Sequence, residues 1–164
     1  MLLDVGCGDG ALVRSLAGHI RHATGIEPSL DAPVSGDGYE LLPGRFPDDL
    51  PTSGGFDAIT MLAVVEHLPP EALAHLGHSF GRLLKPAGRV IITVPSPRVD
   101  DVLHVLMRLH LIAGIGAHEH HGFDPSLVPQ LLPMPQFRLL EYSRFQLGLN
   151  NLFVFEKTTA GADG

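Results

Sequence analysis

The stretch from Leu2 to Gly10, reading Leu-Leu-Asp-Val-Gly-Cys-Gly-Asp-Gly, constrains the fold of this chain more than any other. A short apolar run breaks into alternating glycines, and Ala11, Leu12, Leu16 and Ala17 then recur at helical spacing before Gly18. An apolar run of this length that ends in glycine reads as a buried strand of a parallel sheet. Gly18 supplies the stop of the helix. Strand, glycine loop and helix in that order form one half of a doubly wound fold, where ligands lie beyond the carboxyl ends of the strands.

The remainder of the sequence extends the alternation. Residues 22–26 read as a second strand, and residues 39–42 as a weak one inside a segment rich in Gly, Pro and Asp that spans 31–55. Residues 56–61 are strand-like, 69–84 form an amphipathic helix with proline in its first turn, and Lys85-Pro86-Ala87-Gly88 makes a turn. The β-branched run 89–95, bounded by Gly88 and Pro95, is the clearest strand of all. Val102, Leu103, Leu106, Leu109 and Ile112 place an apolar stripe on one helix. Core packing is the ordinary reading of such a stripe, with a substrate lid or a dimer contact as alternatives. Asp124 caps a short helix over 124–132, and 137–145 and 151–157 form an antiparallel pair at the sheet edge. The expected architecture is therefore α/β: a Rossmann-like, doubly wound, mostly parallel sheet in a three-layer α/β/α sandwich with an antiparallel C-terminal edge strand. One domain over residues 1–157 and a frayed tail over 158–164 account for the chain. Because a strand follows Met1 directly, a covering helix of the natural domain is expected upstream of this sequence.

At 164 residues, 45% hydrophobic and 18% charged, the chain has the composition of a folded domain rather than a disordered one. A net charge of −7 without a Lys/Arg cluster argues against a nucleic-acid groove and leaves room for a cationic ligand. The single cysteine, Cys7, cannot form an internal disulfide, and no segment reads as a membrane span or a signal peptide. These features suggest the cytoplasm.

The acids in the loop bear on the ligand. Gly6, Gly8 and Ala11 satisfy a relaxed dinucleotide fingerprint, and Glu27 falls at the offset of a ribose-binding acid. A pyrophosphate, however, gains nothing from Asp4 and Asp9, whereas an ammonium and a sulfonium do. The combination points to S-adenosylmethionine (SAM). An NAD-dependent oxidoreductase and a non-catalytic SAM-binding module stand as alternatives.

The same segments carry a family resemblance. Residues 2–10 resemble motif I of the class I SAM-dependent methyltransferases, and Thr24-Gly25-Ile26-Glu27-Pro28-Ser29 resembles the segment with their ribose-binding acid. Residues 56–68, ending in Glu66-His67-Leu68, are similar to the family's fourth-strand motif, and 82–97 to the helix, turn and strand that follow. The broad branch containing the ubiquinone-biosynthesis O-methyltransferases is the nearest in flavour. The resemblance implies that Asp4 helps hold the methionine amine and that Gly6, Gly8 and Gly10 give backbone approach. It implies further that Glu27 accepts the ribose hydroxyls, that Pro28 lies near the adenine, and that Arg45 and Phe46 stand where the family's adenine-contacting loop lies. Methyl transfer to a small-molecule acceptor at oxygen, nitrogen or carbon follows from the same resemblance.

No base follows the fourth strand, since Ala63, Val64 and Val65 are apolar. Glu66 and His67 read as a structural strand-to-helix corner. Histidines 118, 120 and 121 cluster around Glu119. They fit a solvated loop, a base or a metal site, but their spacing matches no standard zinc motif, and no metal is expected. His121 and His118 are the candidate general bases.

Overall fold

The computed structural model describes residues 1–51, 54–96 and 123–159. The apolar stripe at 102–112 and the histidine cluster at 118–121 lie outside them. β1 (Leu2–Val5) is buried along its whole length and has parallel neighbours on both sides, β2 (Ala23–Glu27) and β5 (Phe56–Leu62). β4 (Tyr39–Pro43) adds in parallel to β2, and β6 (Leu84–Pro95) adds in parallel to β5. β3 (Val34–Gly36) pairs antiparallel with β4 at the far edge. β8 (Asn150–Lys157) pairs antiparallel with β6, and β7 (Phe137–Phe145) pairs antiparallel with β8. The C-terminal pair thus stands at the sheet edge as its pattern predicts, with β8 running against β6.

The full order is β3-β4-β2-β1-β5-β6-β8-β7. The chain winds outward from β1 through β2 to β4, then crosses back to β5 on the other side of β1. That reversal leaves a crevice above the carboxyl ends of β1 and β5, where open α/β sheets bind ligands.

Alternation along β1 sorts the core into two layers. Leu3 and Val5 pack with Ile59, Met61, Val90, Ile92, Leu76 and Phe80, the last two from α2 (Pro70–Leu83). Leu2 packs on the opposite face with Val13 of α1 (Ala11–Leu16), together with Cys7, Ala23 and Leu41. A short 3-10 turn over Pro125–Leu127 leads into α3 (Val128–Leu131). Val128 joins the α2 layer, as do Phe153 and Phe155 of β8. Pro70 stands at the start of α2, where its missing N–H costs nothing. Asp124 accepts a hydrogen bond from the Ser126 N–H at 2.9 Å, the cap its sequence position predicts.

Two local features depart from the sequence reading. The edge strand β3 is absent from it, because these three residues are exposed and carry no hydrophobic periodicity to reveal them. The Lys85–Gly88 turn, in contrast, lies within β6 as an irregularity: Phe56 pairs with Leu84 and Ala58 with Arg89, so the intervening residues of β6 stand against Asp57 alone. Ala87 takes the bend at φ 61°, and Lys85 pairs with Asp57 at 2.6 Å.

Candidate cofactor site

The ends of four parallel strands converge on one crevice of about 570 Å³, within the usual range for small-molecule sites. Val5 and Gly6 close β1, Glu27 and Pro28 close β2, Gly44 to Phe46 follow β4, and Leu62 to Val64 follow β5; all line it.

The glycine loop has this shape for two separable reasons. Gly6 adopts φ 72°, and a Cβ there would stand 2.4 Å from Val64 Cγ2, so a side chain would force apart the exits of β1 and β5. Gly8 adopts φ 54°, yet a Cβ on it would meet nothing within 4 Å. Its requirement is conformational, and the space beside it is open. Gly10 ends the loop as the residue before α1, against the Leu41 side chain.

The acids divide into different tasks. Asp4 is buried, 4% exposed, beneath the loop rather than on the crevice wall; Thr60 Oγ1 donates to its Oδ1 at 2.6 Å. Burial pushes its carboxyl above the ordinary range despite that hydrogen bond. Asp9 turns back on the chain and accepts from the Ala11 N–H at 3.1 Å, an Asx turn just ahead of α1. Glu27 is the acid on the wall. Its Oε2 accepts from the Gly8 N–H at 3.3 Å and its Oε1 from the Ser29 N–H at 3.0 Å. Partial burial would raise its carboxyl, but the bonds from Ser29 and Gly8 outweigh it and hold the group below its ordinary value. Of these acids Glu27 lines the crevice, together with Asp48, while Asp4 and Asp9 do not.

The negative field at the loop is nonetheless present. Cys7 registers it, its thiol pushed up to about 11, first by burial and then by the charges of Asp4, Glu27 and Asp9. The thiol is buried and protonated, a packing residue rather than a nucleophile.

On the far wall, Phe46 packs its ring against Phe80 of α2 with centroids 5.5 Å apart, so the crevice is tied to the main core. Arg45 and Asp49 close the turn that carries it: the Arg45 N–H donates to Asp49 Oδ2 at 2.8 Å and the Asp49 N–H to the Arg45 carbonyl at 3.0 Å. Opposite, Ala63 holds φ 55° while its N–H donates to the Thr93 carbonyl at 3.0 Å. This bend turns Val64 over Gly6. Glu66 and His67 fall in a 3-10 turn over Val65–His67, the corner their position predicts, and His67 reaches the crevice wall.

Of the residues the sequence singles out, Gly6, Glu27, Pro28, Arg45 and Phe46 line the crevice, and Gly8 and Gly10 shape its loop. Asp4 lies beneath it, and His118 and His121 fall outside the described residues. The apolar wall of Leu62, Val64, Leu68 and Ala72 was not legible as a site, because in sequence it is indistinguishable from core.

The methyltransferase domain family model matches residues 1–139. The ubiquinone biosynthesis O-methyltransferase of Pseudomonas aeruginosa (strain UCBPP-PA14) is 30% identical over 143 residues, covering 80% of this chain and 60% of that protein. The chain thus spans about three-fifths of the length of this curated relative. Among solved structures, the PH0226 protein from Pyrococcus horikoshii OT3 superposes with a TM-score of 0.68 at 19% identity, covering 96% of this chain and 81% of that one. The Burkholderia thailandensis 1,6-didemethyltoxoflavin-N1-methyltransferase, solved with 1,6-didemethyltoxoflavin and S-adenosylhomocysteine bound, gives 0.67 at 18% identity, covering 96% and 70%. Motif order, sheet topology and the placement of the glycine loop agree with these matches, and the chain belongs to the methyltransferase domain family.

Proposed function

We propose that this chain binds SAM in the crevice and transfers its methyl group to a small-molecule acceptor at oxygen, nitrogen or carbon. The observation that carries this reading is Glu27, a carboxylate held ionised on the crevice wall by the Gly8 and Ser29 amides, beside a loop at negative potential. A carboxylate so placed accepts hydrogen bonds from a ribose diol, and the negative potential of the loop beside it disfavours a pyrophosphate. The residues present fit the cofactor: Gly6, Gly8 and Gly10, each at positive φ, give the loop stretches of bare backbone, and the crevice has the volume of a nucleoside site.

In this reading Glu27 takes the ribose hydroxyls, Pro28 and Phe46 flank the adenine, and Arg45 and Asp48 stand at its polar edge. Asp4 acts from below, adding negative potential under the methionine ammonium. When bound, SAM supplies an electrophilic methyl on a positively charged sulfur. Leu62, Ala63 and Val64 form a wall without a polar side chain, which excludes water and leaves alignment of acceptor and methyl as the main source of rate. Where the acceptor must lose a proton, His121 or His118 is the proposed base.

The test is release of S-adenosylhomocysteine from SAM in the presence of phenolic, amine and carbon-acid metabolites. Turnover with one class, abolished by Glu27→Gln, is expected. Binding of SAM without turnover on any class would instead make the chain a SAM-binding module. Loss of turnover in His121→Ala or His118→Ala, with SAM binding intact, would identify the base, and unchanged turnover in both would dismiss it.

A further inference from the structure

A second cavity, of about 550 Å³, opens between the Asp124 turn and the β7–β8 hairpin, beside Ser96 at the end of β6. Among the described residues it shares no lining residue with the cofactor crevice. Its walls are largely apolar. Pro125 and Pro129 form the helical side, and Leu139, Tyr142 and Phe153 form the sheet side. The Tyr142 and Phe153 rings lie with centroids 4.9 Å apart, tilted by 35°, and present an aromatic floor.

One charged group on that floor is held in place by a directed chain of hydrogen bonds. Arg144 Nε donates to Tyr142 Oη at 2.9 Å, Tyr142 Oη donates to Asn151 Oδ1 at 3.0 Å, and Asn151 Nδ2 donates to the Val94 carbonyl at 3.2 Å. Asn151 is 4% exposed, so the chain ends on a fixed, buried anchor. The arrangement occupies the Nε of Arg144 and leaves its terminal nitrogens for another partner. Among the described residues no carboxylate lies within ion-pair distance of Arg144. Asp124, the acid on the helical wall, accepts from the Ser126 N–H through its Oδ1.

We propose that this cavity binds a planar aromatic carboxylate, its ring between the proline wall and the Tyr142–Phe153 pair and its carboxylate on the terminal nitrogens of Arg144. A guanidinium oriented in advance, with no counter-charge among the described residues, is one half of a forked carboxylate contact. Proline and aromatic faces suit a flat ring. β6 adjoins β5, whose exit residues Ala63 and Val64 line the cofactor crevice, so the cavity lies one strand away from it. The role of its ligand as methyl acceptor rests on the function proposed above; the binding itself does not.

The test is calorimetric titration with 2-naphthoate and with its neutral counterpart, 2-naphthylmethanol, each followed by S-adenosylhomocysteine on the same sample. Naphthoate is expected to bind at least tenfold more tightly than the alcohol. Arg144→Met is expected to weaken naphthoate by about 10- to 100-fold, the range for a charged hydrogen bond, with Arg144→Lys intermediate and S-adenosylhomocysteine unaffected. Tyr142→Phe, which removes the orienting hydroxyl, is expected to lose part of that affinity. No naphthoate binding by the natural sequence, equal binding of acid and alcohol, or equal affinity in Arg144→Met would each overturn the proposal. Loss of S-adenosylhomocysteine binding with naphthoate binding retained would remove the methyl-transfer reading and leave the cavity's ligand standing.

Discussion

Two carboxylates at the ends of adjacent strands are driven in opposite directions by their surroundings. Asp4, buried against Thr60, has its carboxyl raised by desolvation, so the fold disfavours its charged form. An acid raised in the folded state lowers stability once pH climbs past its unfolded value, 3.8 here, and that loss is complete above the folded value. Asp4→Asn keeps an acceptor for Thr60 without the charge. Thermal unfolding should therefore show a higher melting temperature for the Asp4→Asn variant at pH 7, with the gain shrinking as pH falls toward the ordinary aspartate range. Its affinity for SAM should fall at pH 7 as the negative potential weakens. Glu27 carries the opposite sign. Its carboxyl is lowered by the Ser29 and Gly8 amides, so it stays ionised through mild acid. The contribution of Glu27 to S-adenosylhomocysteine affinity, read as the ratio of the natural sequence to Glu27→Gln, should be flat on going from pH 7 toward the ordinary value of 4.5 and should be lost only below it. The placement of the glycines and Glu27 was legible in sequence because it follows from local backbone chemistry and a fixed offset. The contacts of Asp4 and Asp9 were not, since burial against Thr60 and the Asp9 turn onto the Ala11 N–H arise from residues far away or from a turn whose direction the composition does not specify.

At the scale of elements, patterning located the main strands and α2 closely, because each buries one periodic apolar set. β3 escaped, since three exposed residues have no such set. The Lys85–Gly88 turn was legible from its composition, but not its role as an irregularity of β6 against β5. Ala87 holds a positive φ that an L side chain dislikes by about 1–2 kcal/mol. It is exposed and remote from the crevice, so Ala87→Gly should stabilise the fold by up to about 1 kcal/mol in urea unfolding, with cofactor affinity unchanged. Phe80 is the reverse case. It is fully buried and its ring also backs Phe46 on the crevice wall. Phe80→Ala should cost about 3–5 kcal/mol, with S-adenosylhomocysteine affinity reduced in the fraction that folds, as measured by combined denaturation and titration.

For the whole molecule, alternating helices and strands implied a covered parallel sheet, but not the order in which the strands lie. That order depends on which side of β1 each crossover returns to, and handedness alone leaves both sides open for the crossover into β5. The observed reversal beside β1 makes the crevice, the glycine loop supplies its floor, and carboxylates on and under that floor set its sign. The central claim is that this negative, diol-accepting crevice selects a cationic nucleoside over a pyrophosphate. Isothermal titration of the intact chain with SAM, S-adenosylhomocysteine and NAD tests it most directly. Saturable one-to-one binding of the first two, weakened at least tenfold by Glu27→Gln, with no heat from NAD, is the predicted result. Tight binding of NAD with indifference to both adenosyl ligands would contradict it.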